Sequence, residues 1–274
     1  MKIALFQMTA GVDPSANARA LVAAIKAAAE GGADMLFTPE MSGCLDRDRE
    51  RSSAVIVTEA NDPVLAAVRA SARENALWVH LGSLAIKDPA IDKRRNRGFL
   101  IDDQGEIRAR YDKIHLFDVD LPGGESWRES NSYAGGDRAV MARTPWGNLG
   151  LTICYDLRFP DLYRALSNAG ADILSVPAAF TVPSGEAHWH VLLRARAIES
   201  AAFVIATGQV GLHEDGRRTY GHSLVVDPWG TVLLDAGSEP GLYWADLQLD
   251  HIADVRRRIP ALAHRRSIED VVIL

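Results

Sequence analysis

Short apolar strands alternate with helical stretches along the chain, and this alternation constrains the fold more than any other feature. A strand pattern over residues 2–8 is followed by a helix pattern over residues 16–30 and a second strand pattern over residues 34–38. Asp13-Pro14 is typical of a helix start, and Gly31-Gly32 of a helix end. The order of these elements predicts a sheet covered by helices, the α/β class.

The same signals continue to the end of the chain. They predict helices over residues 63–76, 161–168 and 188–200, and strands over residues 77–83, 148–154, 171–176, 202–207, 222–227, 231–235 and 241–246. In the middle, strand patterns over residues 97–102 and 106–111 flank the turn Asp103-Gln104-Gly105, which favours an antiparallel hairpin. Because so many strands exceed the usual width of one sheet, we expect two stacked sheets.

The chain length allows two interpretations of its domain organisation. It has 274 residues, which at roughly 150 residues per domain fits one large or two small domains. The sequence contains no linker rich in proline, serine or glycine, no low-complexity tract and no internal repeat. We therefore expect a single domain over residues 1–274, with a core over about residues 1–250 and a C-terminal extension over residues 251–274.

The charge balance is acidic, with 36 Asp and Glu against 30 Lys and Arg and a net charge of −6. Nucleic-acid-binding proteins usually show the opposite balance. The arginine-rich stretches 47–51, 93–97 and 256–258 are short and mixed with acids, so they are interpreted as solvated faces. The sequence predicts neither nucleic-acid nor membrane partners.

Cysteine content and the absence of targeting signals bear on localisation. The chain has only two cysteines, Cys44 and Cys154, which excludes a disulfide scaffold and suits a reducing compartment. The N-terminal apolar stretch is too short for a signal-peptide core, and no run approaches the 18 apolar residues of a membrane span. These features predict a cytoplasmic protein.

The strongest local signal for chemistry surrounds Cys154. An apolar strand pattern runs directly into this cysteine, and a helix pattern begins just after Pro160. A strand-to-helix turn can expose a thiol and place backbone N–H groups where they stabilise an oxyanion. The alternative is a buried structural cysteine, a common state of free thiols. The charged residues that follow, Asp156, Arg158 and Asp161, weigh against that alternative.

Lys113 and Glu40 also lie just beyond predicted strands. A lysine near a thiol can hold it as the thiolate or stabilise a tetrahedral oxyanion. A carboxylate at the carboxyl end of a strand, in a partly closed site, can act as a general base. Each residue alone is more typical of a solvated surface group. Together, Glu40, Lys113 and Cys154 supply a base, a cation and a nucleophile.

The motifs around these three residues resemble those of the nitrilase superfamily of carbon–nitrogen hydrolases. They read LFTPE at the glutamate, YDKIHLFD at the lysine and ICYDLRFP at the cysteine. The resemblance extends from residue 2 to residue 266. Two further segments, AHWHVLLRARAIE and YGHSLVVDPWG, are similar to the amidase branch that acts on ω-amides of 2-oxo acids, and within it to the deaminated-glutathione amidases.

The resemblance implies a four-layer α-β-β-α sandwich and assigns roles to particular residues. Glu40 becomes the general base, Lys113 the transition-state cation and Cys154 the nucleophile. Glu129, in the motif WRES, becomes a second glutamate that shapes the site. The implied substrate-binding residues are Tyr155, whose backbone N–H joins Lys113 in the oxyanion hole, Arg158, which meets a substrate carboxylate, and Phe180 and Ser184, which line the pocket.

The implied reaction is hydrolysis of the C–N bond of a small linear amide through a cysteine thioester, with release of ammonia. The implied substrate is an ω-amide of a 2-oxo acid such as deaminated glutathione, and no step requires a metal or an organic cofactor. The resemblance also implies a homodimer or a higher oligomer, with residues 161–168 and the apolar C-terminal segment at the subunit interface. Another amide specificity (N-carbamoyl amines or nitriles) and a non-catalytic binding relative are the alternatives.

Several other residues could carry chemistry. His115 lies two residues from Lys113, so a Cys–His pair is the alternative to Glu40 as the base. Cys44 is interpreted as an ordinary loop cysteine. Gly123-Gly124 and Gly135-Gly136 match no nucleotide-binding fingerprint and are interpreted as turns near the second glutamate.

His188 and His190 suggest a metal site, but their spacing argues against one. Both fall at the start of a predicted helix, where residues i and i+2 point in different directions, and no third ligand has a suitable spacing. We therefore predict no metal. His190 stands where the family has glutamate in the motif His-Trp-Glu, and this departure bears on the substrate more than on the chemistry.

Overall fold

The computed structural model describes residues 1–120, 124 and 126–273. The helices are α1 (Pro14–Glu30), α2 (Arg49–Val55), α3 (Pro63–Glu74), α4 (Pro160–Asn168), α5 (Val182–Ser200) and α6 (Asp250–Arg258). The strands are β1 (Lys2–Gln7), β2 (Met35–Phe37), β3 (Trp78–Lys87), β4 (Arg94–Ile101), β5 (Ile107–Asp112), β6 (Asp118–Asp120), β7 (Ser126–Arg128), β8 (Val140–Thr144), β9 (Gly147–Leu151), β10 (Ile173–Ser175), β11 (Phe203–Ala206), β12 (Val210–Leu212), β13 (Arg218–Tyr220), β14 (Leu224–Val226), β15 (Val232–Asp235) and β16 (Gly241–Asp246).

Two six-stranded sheets organise the chain, as the number of predicted strands indicated. The first sheet has the strand order β16-β1-β2-β3-β4-β5, and the second has the order β15-β14-β11-β10-β9-β8. Strands β1 to β3 are parallel, as are β9 to β11, because a helix connects each consecutive pair. The predicted hairpin is confirmed, since β4 and β5 pair in antiparallel register.

The burial pattern places helices on the outer faces of both sheets. Along β1, Ile3 and Leu5 belong to a buried cluster that contains residues of the second sheet and of α4 and α5. Ala4 points the opposite way and packs with Leu21 of α1 and Val68 of α3. This period of two is that of a strand buried on both faces. The architecture is therefore a single α/β domain with four α-β-β-α layers, and the predicted fold class is confirmed.

Helix α5 begins six residues before the predicted start at residue 188. Pro183 in its first turn is a helix-start signal that the sequence analysis missed. Gly185 obscured the pattern because glycine weakens a helix interior. The structure requires glycine there, since a Cβ at this position would lie 2.2 Å from the Tyr220 ring.

Other short elements also went unpredicted. These are α2, α6 and the strands β6, β7, β8, β12 and β13. They carry few apolar residues in a regular period, so local patterning did not reveal them. Of the glycine pair predicted to form a turn at residues 123–124, Gly123 lies outside the described residues, as does residue 274 of the predicted extension. Within the described ranges, no helix combines the length and apolar character needed to span a membrane.

A buried histidine connects the two sheets. His80 on β3 is 2% exposed, and its Nε2 lies 3.1 Å from Oγ of Ser175 on β10. The ring packs against Phe37, with ring centroids 5.4 Å apart. Burial lowers the pKa of His80 to about 3, so the imidazole is neutral in the folded protein.

The pKa of His80 predicts a loss of stability in mild acid. Between pH 6.5 and pH 3 the unfolded chain binds a proton at this imidazole that the folded chain does not, so stability falls as the pH falls. The expected loss from this residue is about 2 kcal/mol between pH 7 and pH 5. Urea unfolding at the two pH values measures it. His80→Gln should lose that part of the pH dependence, and an unchanged dependence in the variant would contradict the assignment.

Candidate active site

Cys154 lies on a sharp turn between a strand and a helix, as the sequence predicted. Strand β9 ends at Leu151, and a 3-10 turn over Cys154–Arg158, here called the cysteine turn, leads into α4. The backbone of Cys154 has φ +50°, in the left-handed region that few non-glycine residues adopt. Its N–H donates to the carbonyl of Pro177 at 2.9 Å. Strained backbone of this kind is concentrated at functional sites.

A buried carboxylate holds the cysteine turn in place. Asp156 is fully buried and accepts hydrogen bonds from the Ile153 N–H at 2.9 Å and the Tyr111 hydroxyl at 2.7 Å. It also accepts one from the His115 N–H at 3.0 Å, and Nδ1 of His115 lies 2.7 Å from the same oxygen. The His115 ring stacks on Phe159 at 3.6 Å. These contacts give His115 a structural partner other than the thiol.

Lys113 lies between two glutamates. Its Nζ is 2.9 Å from Oε1 of Glu40 and 2.9 Å from Oε2 of Glu129. The Lys113 side chain is 2% exposed, and the two carboxylates are 6% and 13% exposed. The sequence analysis missed Asn96, whose Nδ2 donates to Glu40 at 2.9 Å and to Glu129 at 3.1 Å. The N–H of Ala179 donates to the other oxygen of Glu40 at 3.0 Å, so both carboxylates are fixed in position.

The charges of this group set the protonation states of the resting site. Burial favours the neutral form of Lys113, but the carboxylates of Glu129 and Glu40 outweigh it and raise the pKa of the lysine well above its usual value. Burial and the charge of Glu40 raise the pKa of the Cys154 thiol well above its usual value, although Lys113 opposes them. The lysine is therefore charged and the thiol protonated, with a carboxylate positioned to accept the thiol proton.

A cavity of about 530 Å³ opens onto these groups. It brings together every site residue that the sequence analysis named, namely Glu40, Lys113, Glu129, Cys154, Tyr155, Arg158, Phe180 and Ser184. The Arg158 guanidinium lies 5.6 Å from the Phe180 ring centroid and 5.9 Å from that of Tyr155. The Ser184 hydroxyl is 2.8 Å from that of Thr181, which fixes it at the start of α5.

The wall of the cavity is rich in arginine. The lining arginines among the described residues are Arg47, Arg49, Arg94, Arg128, Arg158, Arg217 and Arg218. Residues 47–51 are exposed, as expected for a solvated face, and the side chains of Arg47 and Arg49 also line the cavity. Guanidinium groups of Arg47 and Arg217 lie 4.8 and 4.9 Å from the Trp127 ring. Apart from Arg158, local patterning did not reveal these arginines, because they come from separate segments of the chain.

Cys44 also lines the cavity, on a loop as predicted. Its Sγ lies 3.5 Å from the carbonyl of Val12. Burial and the charge of Asp46 raise the pKa of the Cys44 thiol to about 11. A thiol of this kind is a weak nucleophile at neutral pH.

The fold and this group of buried side chains define the class of enzymes that hydrolyse carbon–nitrogen bonds other than peptide bonds. The chain belongs to the carbon–nitrogen hydrolase family, whose model matches residues 2–257. It is 40% identical to a deaminated glutathione amidase of Synechocystis over 266 residues, which cover 96% of this chain and 97% of the relative. It is 38% identical to the human deaminated glutathione amidase over 268 residues, covering 96% of this chain and 82% of the relative.

Solved structures show the same architecture. The NitFhit protein of Caenorhabditis elegans superposes with a TM-score of 0.89 at 37% identity, covering 97% of this chain and 65% of that chain. An amidase from Nesterenkonia superposes with a TM-score of 0.80 at 30% identity, covering 95% of each chain. In a mutant of the Nesterenkonia amidase, acrylamide has added to the active-site cysteine.

Proposed function

We propose that this enzyme hydrolyses the ω-amide bond of a 2-oxo acid, with deaminated glutathione as the substrate, through a thioester on Cys154. The observation that carries the proposal is the position of Lys113, 2.9 Å from both Glu40 and Glu129 beside the thiol. This arrangement supplies a nucleophile, a base and a fixed positive charge in one buried group. The cysteine that reacts with acrylamide in the Nesterenkonia amidase supports the same role for Cys154.

In the first half-reaction, the sulfur of Cys154 attacks the amide carbon while Glu40 takes the thiol proton. The carbonyl oxygen becomes an oxyanion, which Lys113 and the backbone N–H of Tyr155 stabilise. When this intermediate collapses, the C–N bond breaks, and Glu40 transfers its proton to the leaving nitrogen. The product is a thioester on Cys154 and a free amine.

In the second half-reaction, water attacks the thioester carbon. Glu40 takes a proton from the water, and the same donors stabilise the second oxyanion. Collapse breaks the C–S bond, and the proton on Glu40 returns to the sulfur. Glu129 keeps Lys113 aligned throughout, because its carboxylate also accepts a hydrogen bond from the Phe117 N–H at 2.7 Å.

The arginine-rich wall favours an anionic substrate. Deaminated glutathione has a carboxylate at each end, one beside the 2-oxo group and one at the terminal glycine. In this proposal Arg158 binds one of these carboxylates near Cys154, and Arg47 and Arg217, which lie beside Trp127, bind the other. Its ω-amide nitrogen belongs to a cysteinylglycine dipeptide, so cleavage releases that dipeptide, whereas an unsubstituted ω-amide releases ammonia.

A panel of substrates tests the proposal. Cysteinylglycine release from deaminated glutathione is measured beside ammonia release from 2-oxoglutaramate, asparagine, N-carbamoyl amino acids and simple nitriles, with Cys154→Ala as the blank. We expect the highest kcat/KM with deaminated glutathione and lower values with substrates that lack the second carboxylate. Turnover of the N-carbamoyl amino acids or nitriles alone would assign the alternative specificity. No turnover of any compound by protein with an intact Cys154 thiol would indicate a non-catalytic relative.

Quaternary structure and localisation remain predictions. The apolar C-terminal residues Ile268, Val271, Val272 and Ile273 are exposed, which supports the proposal that this extension contributes to a homodimer interface together with α4. Upstream, Arg256 of α6 binds Asp172 at 2.9 Å, so the base of the extension is attached to the domain. A solution mass measurement at micromolar concentration would reveal the dimer. The proposed compartment is the cytoplasm.

A further inference from the structure

Two histidines and an aspartate from separate elements meet outside the cavity. His190 lies on α5, His222 precedes β14, and Asp235 ends β15. The His190 Nε2 is 2.9 Å from Oδ2 of Asp235, and the His222 Nδ1 is 2.9 Å from Oδ1. The three ligand atoms all lie within 4.8 Å of one another. Sequence spacing indicated no third ligand for His190, but the tertiary structure supplies two.

Neighbouring contacts orient His222 and Asp235. The His222 ring stacks on Tyr220 at 4.3 Å, and its backbone carbonyl accepts from the Trp189 indole at 2.8 Å. The backbone of His222 has φ +50°, in the left-handed region. Asp235 accepts the Gly237 N–H at 2.9 Å through Oδ1. These contacts fix the positions of two of the three side chains.

We propose that His190, His222 and Asp235 bind a divalent transition-metal ion of the zinc class. Two imidazoles and one carboxylate are ligands that suit zinc and its neighbours in the first transition row. Donors bound to tetrahedral zinc at about 2.0–2.1 Å lie about 3.3 Å apart. The His–Asp donor distances of 2.9 Å need to lengthen by a few tenths of an ångström to match, and the two imidazole nitrogens, which lie within 4.8 Å of each other, need to settle at the same spacing.

The charge and accessibility of the cluster are compatible with metal entry. The three side chains are between 27% and 35% exposed, so an ion can reach them from solvent and keep a water ligand. Asp235 is the acidic member of the cluster, and one carboxylate beside two imidazoles is a ligand set that suits a divalent cation.

A bound ion would tie α5 to the β14–β15 hairpin. Trp189, the neighbour of His190, packs against the cavity residue Phe180 with ring centroids 4.7 Å apart. Among the residues that the structure describes, none of the three ligands lines the cavity itself. We therefore expect the metal to raise the thermal stability of this wall without taking part in the chemistry at Cys154.

Zinc titration of metal-free protein by calorimetry tests the site. Cys154→Ala is the parent, because the active thiol would otherwise compete for zinc. We expect one equivalent of zinc to bind, with a rise in Tm, and cobalt(II) to give a visible absorption band at the same stoichiometry. His222→Ala and Asp235→Asn should each weaken binding at least about tenfold. His190→Gln should weaken zinc binding to the same extent. Because glutamine keeps a side-chain N–H that can donate to Asp235, this variant is expected to remain folded.

The matched control is His251→Ala. The His251 Nε2 lies 3.5 Å from Oδ2 of Asp227, so this variant removes an imidazole–carboxylate pair outside the cluster and should leave zinc affinity unchanged. Absence of zinc binding to the Cys154→Ala parent would overturn the proposal and leave a hydrogen-bonded His–Asp–His network. Equal affinity in the parent and in the folded His190→Gln protein would overturn it as well.

Discussion

Glu40→Gln is expected to lower kcat by about 10²–10⁴-fold, the usual contribution of a general base. Glutamine has nearly the shape of glutamate but cannot take the thiol proton of Cys154. Both carboxylate oxygens accept hydrogen bonds in the native site, from Asn96 and Lys113 on one side and from the Ala179 N–H on the other. Because glutamine has only one acceptor oxygen, it can accept hydrogen bonds on only one of these two sides. Kinetics on the best substrate of the panel measure the rate loss, and Cys154→Ala sets the background.

The matched control for this variant is Glu59→Gln. Glu59 is paired with Arg97 at 2.9 Å and Arg110 at 2.7 Å outside the cavity, so the variant should lose both ion pairs and retain the native rate. His115→Ala distinguishes the alternative base. Full activity of Glu40→Gln together with loss of activity in His115→Ala would transfer the role of base to the histidine.

Lys113→Met is expected to lower kcat by about 10²–10³-fold, as loss of one oxyanion donor typically does. It should also destabilise the fold by about 3–5 kcal/mol, because it leaves Glu40 and Glu129 buried without their cation. The raised pKa of Lys113 means that the native lysine stays charged at neutral pH, so this stabilisation is present under assay conditions. Urea unfolding and kcat give the two measurements.

A double variant separates the two effects. Lys113→Met with Glu129→Gln removes one of the stranded charges, and should recover part of the stability while kcat stays low. Recovery of kcat together with stability would mean that Lys113 is structural and does not stabilise the oxyanion.

The sequence predicted the three central residues because their signals are local. Cys154, Glu40 and Lys113 each follow a strand, and strand ends can be recognised from apolar runs and turn residues. The motifs around them then showed the resemblance to the nitrilase superfamily. Asp156 was noticed only as a charge near the cysteine, and its four hydrogen bonds depend on the tertiary structure, which places Tyr111 of β5 and His115 beside it.

Residues that depend on distant contacts escaped the sequence analysis. Asn96 lies within a polar stretch of β4 and gives no local sign that it bridges two glutamates. Apart from Arg158, the arginines around the cavity are spread from Arg47 to Arg218 and give no local sign that they share a site. The start of α5 was missed because Gly185 weakens the helix pattern, while the reason for glycine is its contact with Tyr220, 35 positions away in the chain.

By itself, the sequence determined the order of strands and helices, the α/β class, and the identity of the residues at the strand ends. Those properties depend on side-chain periodicity and turn chemistry over a few neighbouring residues. Only the tertiary structure decided that Cys154 of the second sheet meets Glu40 and Lys113 of the first, and that His190 meets His222 and Asp235. The physical reason is that strand pairing and sheet stacking join residues far apart in the chain, and local patterns do not encode which distant elements will pack together.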